Sequence, residues 1–241
     1  MKIGIFGRGR LGSAIAAAAG ADLAWAIGRD GAAGATPDVV VDAGAAEAVE
    51  SHVAWCVRRR VPLVIGVTGW RLPDLEARVD GRIGVVIAPN FSLTVALATR
   101  VAAVFARFAA LEPRFDPWVA EKHRPTKRDA PSGTARLVAE TMLAACPRKT
   151  SWRLADGAGA FGPHELSVGV LRAGSGAGEL SFGLDAPEET LEVRHAARGP
   201  EAYASGALAA CRWVLGRTGV FTMDDVARSV LDPIFAAEPS R

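Results

Sequence analysis

The chain has few residues of the kinds that build metal centres and disulfide frameworks: three Cys, four His and a single Tyr among 241 residues. Cys56, Cys146 and Cys211 stand far apart, with no C-x-x-C pair and no Cys/His ligand spacing. That argues against a zinc site or a disulfide framework and points to a reducing compartment. An excess of one charge is also missing, since 28 basic and 26 acidic side chains leave a formal charge of +2. No overall field draws the chain to nucleic acid or to a membrane surface, so any cationic site is local. Long apolar runs are absent as well, none reaching the roughly 20 residues that cross a bilayer. Neither a charged leader nor an apolar signal core precedes the strand-like Lys2-Ile3-Gly4-Ile5-Phe6, and the expected location is the cytoplasm.

Half of the residues are apolar, enough for a substantial core in one large domain or two small ones. Over the first 90 or so residues, short β-type runs alternate with Ala-rich helical runs. Strands are predicted at 2–6, 23–27, 38–42, 62–66 and 84–88, and helices at 10–19, 45–58 and 73–78, the pattern of a parallel, doubly wound, Rossmann-like sheet. A long helix follows Pro89-Asn90-Phe91-Ser92 and runs to about Leu111, with Val101, Val104, Phe105 and Phe108 as a core stripe. From 116 to 200 the texture changes to β-type runs around one helix opened by Ser132, which predicts a second, α+β domain. The Gly-rich stretch Asp156–Gly162 reads as a connector or a lid, with the connector favoured. A helix over Ala202–Leu215 and a last one capped by Thr222 are expected to pack back on the first domain. The expected division is therefore 1–92 with 206–241, and 93–205.

Gly7-Arg8-Gly9-Arg10-Leu11-Gly12 lies between a predicted strand and a predicted helix. There, glycines let the backbone approach a pyrophosphate at a helix N-terminus, so these six residues are candidates for binding a dinucleotide. The second strand ends at Gly28-Arg29-Asp30, where such folds distinguish a ribose diol from a 2′-phosphate. Asp30 suits NADH and Arg29 suits NADPH; NADPH is favoured, with NADH possible. Gly66-Val67-Thr68-Gly69-Trp70 and Ala88-Pro89-Asn90-Phe91 also follow strands, which places Gly66, Thr68, Ala88, Asn90 and Phe91 at the sheet edge where ligands bind, unless they are simple turns.

The densest chemistry lies in Glu121-Lys122-His123-Arg124-Pro125-Thr126-Lys127-Arg128-Asp129-Ala130-Pro131-Ser132-Gly133-Thr134-Ala135. Five possible cations run into a helix start whose unpaired N–H groups suit a carboxylate. On charge alone, a solvated run or a phosphate-contacting loop is equally good.

Glu-x-His-x-x-x-Lys-x-Asp-Ala-Pro-Ser-Gly-Thr-Ala resembles the signature of the 4-hydroxy-tetrahydrodipicolinate (dihydrodipicolinate) reductase family. The early Gly turn, Gly66–Trp70, Ala88–Ser92, Arg172-Ala173-Gly174 and Ala204-Ser205-Gly206-Ala207 resemble further landmarks of that family in order. The resemblance implies a Rossmann cofactor domain, a substrate-binding and oligomerisation domain with a mixed sheet, and a homotetramer. It implies reduction of a small dicarboxylate heterocycle in lysine and diaminopimelate synthesis, hydride passing from the nicotinamide to the ring and a general acid supplying the proton. His123 and Lys127 match the catalytic pair; cations nearby favour proton release from Lys127, whose charge equally suits a carboxylate. Ser132, Gly133 and Thr134 match the substrate cradle, Arg124 beside His123 can still bind a carboxylate, and Asp129 braces the loop.

The sequence departs from that pattern in four places. Arg124 replaces a second His, the Gly turn is one residue shorter, Gly178-Glu179-Leu180-Ser181 stands for Gly-Glu-His-Thr, and Arg198 lies five positions before Tyr203. Two alternatives stay open: a paralogue reducing another anionic cyclic imine, and a nucleotide-binding protein without turnover.

Overall fold

Apolar runs bounded by turn residues become the strands of a parallel sheet, β1 (Ile3–Phe6), β2 (Leu23–Ile27), β3 (Val39–Asp42), β4 (Leu63–Ile65) and β5 (Gly84–Ile87), connected through α1 (Arg10–Ala19), α2 (Val49–Arg59) and α3 (Leu75–Val79). This architecture is seen in a computed structural model that describes residues 1–29, 31–157, 159–176 and 178–236. The chain continues through α4 (Leu93–Leu111), β6 (Asp116–His123), α5 (Gly133–Ala145), β7 (Ser151–Leu154), β8 (Glu165–Arg172), β9 (Glu179–Asp185) and β10 (Thr190–Ala196). It ends with α6 (Glu201–Val214), β11 (Gly219–Thr222) and α7 (Met223–Phe235). Two units result, Met1–Leu93 with Pro200–Arg241, and Thr94–Gly199.

In the first unit the strand order is β11-β5-β4-β3-β1-β2, and every pairing is parallel. Alternation along the strands sends Ile3, Ile5, Val39, Val41, Val64 and Val86 to one face, where they meet Ile15 of α1 and Ala207, Ala210 and Val214 of α6. Phe6, Val40, Leu63, Ile65 and Val85 face the other way, against Val49, Val53 and Val57 of α2 and Leu75 and Val79 of α3. Helices on both faces explain why these strands read as unbroken apolar runs. Each fully buried Ile or Leu contributes roughly 1.5–3 kcal/mol. β11 was not expected as a strand: Gly219–Thr222 has four residues and no strong apolar pattern, and its pairing with β5 supplies the ladder.

The second unit is a mixed sheet of order β10-β9-β6-β8-β7, in which β6 pairs parallel with β8 and antiparallel with β9. Val119, Val168, Phe182 and Leu184 of this sheet cluster with Ala102, Ala106 and Ala109 of α4 and with Ala135, Val138, Ala139 and Met142 of α5. By length and composition α4 is one exception to the expectation on apolar runs, with 19 residues at a hydropathy of 1.6. Its alanine ridge is spent on the core cluster instead, and it carries Arg100 and Arg107. β7 was missed because Ser151–Leu154 is a short edge strand. All three cysteines are free and buried, and burial pushes the Cys211 thiol up to about 12.

Candidate active site

In the first unit, the candidate cofactor residues lie at the carboxyl ends of the strands. Gly7 follows β1 at φ 111°, a conformation that favours glycine, and its N–H donates to the Ile27 carbonyl at 2.8 Å. A Cβ on Gly7 would overlap the Ala43 carbonyl, whereas one on Gly9 would meet nothing within 4 Å. Gly9 is the N-cap of α1, with no side-chain cap and no acidic residue in the first turn. The open N–H groups and the positive end of the helix dipole are therefore left for an anion, which fits the pyrophosphate of a dinucleotide. Beside this turn, a cavity of about 300 Å³ is lined by Arg8, Gly12, Ser13, Ala16, Leu23 and Ala26. Arg10 is exposed in the first turn of α1, and Leu11 packs partly into the core.

Arg29 is exposed in the turn after β2, and Asp30 lies outside the described residues. Gly66 lets the Phe91 ring pass where a Cβ would overlap it, and its N–H donates to the Asp42 carbonyl at 2.8 Å. Phe91 is only 2% exposed and Ala88 1%, so their side chains belong to the core and only their backbone reaches this edge. Thr68 is exposed, and the Asn90 Oδ1 accepts from the Ser92 N–H at 2.9 Å, which shapes the turn into α4. The sequence reading missed Asp42. Its fully buried carboxylate accepts from the Gly44 N–H at 3.0 Å and pairs with His52 Nδ1 at 2.7 Å, fixing the turn after β3.

In the second unit, the basic segment is a strand end, a loop and a helix start. Period-two alternation on β6 puts Glu121 and His123 on the helix-covered face with Val119, and sends Lys122 to the other. Ser132 caps α5: its hydroxyl accepts from the Ala135 N–H at 3.2 Å, and its own N–H donates to Glu121 Oε2 at 3.0 Å. Both groups serve local structure, which leaves the backbone of Gly133 and Thr134 as the open part of the helix start. Gly133 is exposed with open space around its Cα, and α5 has no acidic residue in its first turn to offset the dipole.

Lys127 Nζ donates to both carboxylate oxygens of Asp129, at 2.7 and 2.9 Å, with the lysine side chain 23% exposed. Its nearest charged partner is thus an acid, not one of the surrounding cations. The ammonium holds the Asp129 carboxyl below its ordinary range. A Lys ammonium has three donors, and this pairing leaves one for a ligand. Arg124 is exposed, and its Nε donates to the Thr126 hydroxyl at 3.0 Å. His123 is mostly buried, with Nε2 3.4 Å from Glu121 Oε2. Gly178, at φ 149°, lies against the imidazole, where a Cβ would overlap the ring. Leu180, where the family pattern has His, is 5% exposed and in register between Glu121 and His195.

Two residues of this centre carried no assignment from the sequence. Arg172 stands opposite His123 in the β6–β8 register, and its NH2 donates to Glu121 Oε1 at 3.0 Å and to the Asp129 carbonyl at 2.6 Å. Glu121, with its side chain 1% exposed, meets Ser132, His123 and Arg172. The only signal for either was presence in a quoted motif. Imidazole, ammonium, guanidinium and a helix N-terminus together can hold a small dianion and supply a proton. Among the described residues no cluster of His, Cys, Asp or Glu could hold a metal ion.

A family profile described as "Dihydrodipicolinate reductase, C-terminus" matches residues 92–227, and one described as "Dihydrodipicolinate reductase, N-terminus" matches 30–91. The 4-hydroxy-tetrahydrodipicolinate reductase of Myxococcus xanthus is 38% identical over 198 residues, 80% of this chain and 72% of the relative. That of Laribacter hongkongensis is 34% identical over 201 residues, covering 81% and 74%. Among solved structures, a dipicolinate-bound dihydrodipicolinate reductase from Paenisporosarcina sp. TG-14 superposes with a TM-score of 0.66 at 21% identity, covering 92% of this chain and 97% of that one. Two profiles that together run from residue 30 to 227, and relatives matched over most of their length, place the chain in the dihydrodipicolinate reductase family.

Proposed function

We propose that this chain reduces 4-hydroxy-tetrahydrodipicolinate to tetrahydrodipicolinate, with loss of water, in the lysine and diaminopimelate route. The observation that carries the reading is one strand-loop-helix unit that presents His123, Lys127 and the open N-terminus of α5 together. A nicotinamide dinucleotide, when bound at the Gly7–Gly12 turn, supplies the hydride. The remaining work falls to side chains and backbone of this protein. The N–H groups of Gly133 and Thr134 and the Arg124 guanidinium bind carboxylates, and Ser132 holds the cradle in shape. Lys127 Nζ delivers the proton that completes the reduction, and His123 supports that delivery. Asp129 keeps the ammonium in place between turnovers.

NADPH is the favoured cofactor because Arg29 follows β2 where a 2′-phosphate would need a cation. We infer a homotetramer built on the sheet face away from α4 and α5. Alternation gives that face Trp118, Ala120, Ser167, Gly169, Ser181 and Gly183, mostly small residues that allow close approach. The three buried free thiols suit the cytoplasm.

The test couples purified protein to the synthase that makes the substrate and follows oxidation of NADPH and of NADH by absorbance. Turnover faster with NADPH is expected. Tight binding of cofactor without turnover would overturn the reading and favour a paralogue, for which Arg124 is the departure at the substrate cradle.

A further inference from the structure

We propose that Glu121 is a positioning residue for this reduction, acting through the groups around it without touching the substrate. The inference rests on the reductase reading above. Its starting point is a conflict between sequence position and environment. Glu121 occupies an inward position of β6, in register with Val170 on one side and Leu180 on the other, where the core pattern calls for an apolar side chain. A carboxylate buried there costs several kcal/mol of desolvation unless its lone pairs are filled, and an apolar residue of similar size is commonly as stable or more so. Stability alone is therefore a poor reason for an acid at this place.

The partners indicate what the acid does. Oε2 takes the Ser132 N–H at 3.0 Å and stands 3.4 Å from His123 Nε2. Oε1 takes Arg172 NH2 at 3.0 Å, and the same guanidinium nitrogen holds the Asp129 carbonyl at 2.6 Å. One carboxylate thus ties together the imidazole, the residue that opens α5, and, through Arg172, the loop in which Asp129 grips Lys127. These partners come from β6, the α5 N-cap, β8 and the loop between β6 and α5. Their relative placement is set by a single buried charge. Misplacement of reacting groups by about an ångström can lower a rate roughly 100-fold, so such a hub has leverage on turnover.

The experiment compares the unmodified protein with Glu121→Gln, Arg172→Gln and the double variant. Each is measured for turnover, for thermal melting, and for binding of the unreactive pyridine-2,6-dicarboxylate and of NADPH by calorimetry. Wild-type turnover is measured first, and its absence would count against the reductase reading whatever the variants do. With an active wild type, we expect Glu121→Gln to lower kcat and weaken dicarboxylate binding, together roughly 10- to 100-fold in kcat/KM, with NADPH affinity within about twofold. The double variant is expected to lose little beyond the worse single variant, because the two side chains act as one unit. A Glu121→Gln protein that melts lower but keeps its kcat, KM and dicarboxylate affinity would overturn the proposal, as would additive losses in the double variant. Should Glu121→Gln not accumulate folded, Arg172→Lys decides, since it keeps the charge and removes the fork. A tenfold loss of kcat/KM supports the hub and an unchanged value refutes it.

Discussion

A Cβ placed on Gly12 would overlap the carbonyl oxygen of Gly7, so α1 begins pressed against the end of β1. Gly9, between them, has no neighbour within 4 Å of where a Cβ would stand. Glycines of one motif thus serve different ends. Gly7 and Gly12 allow backbone to meet backbone, and Gly9 keeps a surface clear.

This difference predicts separable phenotypes. Gly12→Ala should lower the melting temperature sharply, because overpacking against backbone typically costs about 1–3 kcal/mol or more. Gly9→Ala should melt near wild type and lose cofactor affinity. Melting curves and NADPH titrations on the two proteins check this, and a Gly9→Ala that binds normally would remove the pyrophosphate from that turn.

Lys127 and Asp129 should separate chemistry from bracing. Lys127→Ala is expected to reduce kcat by roughly 100-fold or more, the usual contribution of a general acid. Asp129→Asn should cost much less activity and at most about 1 kcal/mol of stability, since the Asp129 end of its ion pair with Lys127 is exposed. Steady-state kinetics on both variants test the assignment; equal losses would mean that Lys127 needs its partner as much as its proton.

Cofactor choice should follow Arg29. If its guanidinium pairs with a 2′-phosphate, Arg29→Ala weakens NADPH about tenfold or more, the worth of a charge-assisted bond, and leaves NADH unchanged. Parallel titrations with the two cofactors decide it. A uniform loss for both would assign Arg29 to general electrostatics.

The last helix supplies a pH prediction. Thr222 and Asp225 form a reciprocal cap on α7: the Thr222 N–H and hydroxyl each reach Asp225 Oδ2 at 2.8 Å, and the Asp225 N–H returns to the hydroxyl. The Thr222 N–H, then its hydroxyl, hold the Asp225 carboxyl below the usual carboxylate range. With a depressed folded pKa the contribution is present above about 3.8 and disappears as pH falls through the lower folded value. Asp225→Asn should therefore lower the melting temperature at neutral pH, by the equivalent of about 1 kcal/mol, and narrow the gap to wild type toward pH 3. A gap constant across that range would show that the cap works without its charge.

Much of the first unit was legible because its signals are local. Buried parallel strands such as Val39–Asp42 read as apolar runs, Gly7–Gly12 marks a strand-helix turn, and Thr222 announces α7. The basic segment was equally visible, since Ser132 and the cations before it lie within one short stretch. β11 was not, because Gly219–Thr222 becomes a strand only by pairing with β5, far earlier in the chain. Phe91 was read as a cofactor contact from its place after a strand, and packing against Gly66 turned its ring inward.

The sequence by itself determined which residues are candidates for the chemistry: the glycine turn, His123, Lys127 and a capped helix start, each defined by neighbours a few positions away. Tertiary structure alone decided that Glu121 and Arg172, 51 residues apart, meet across β6 and β8 and that Asp42 meets His52 behind the turn after β3. A buried charge is stable only where partners from other elements converge on it, and that convergence is a property of strand register and helix placement that no local pattern encodes.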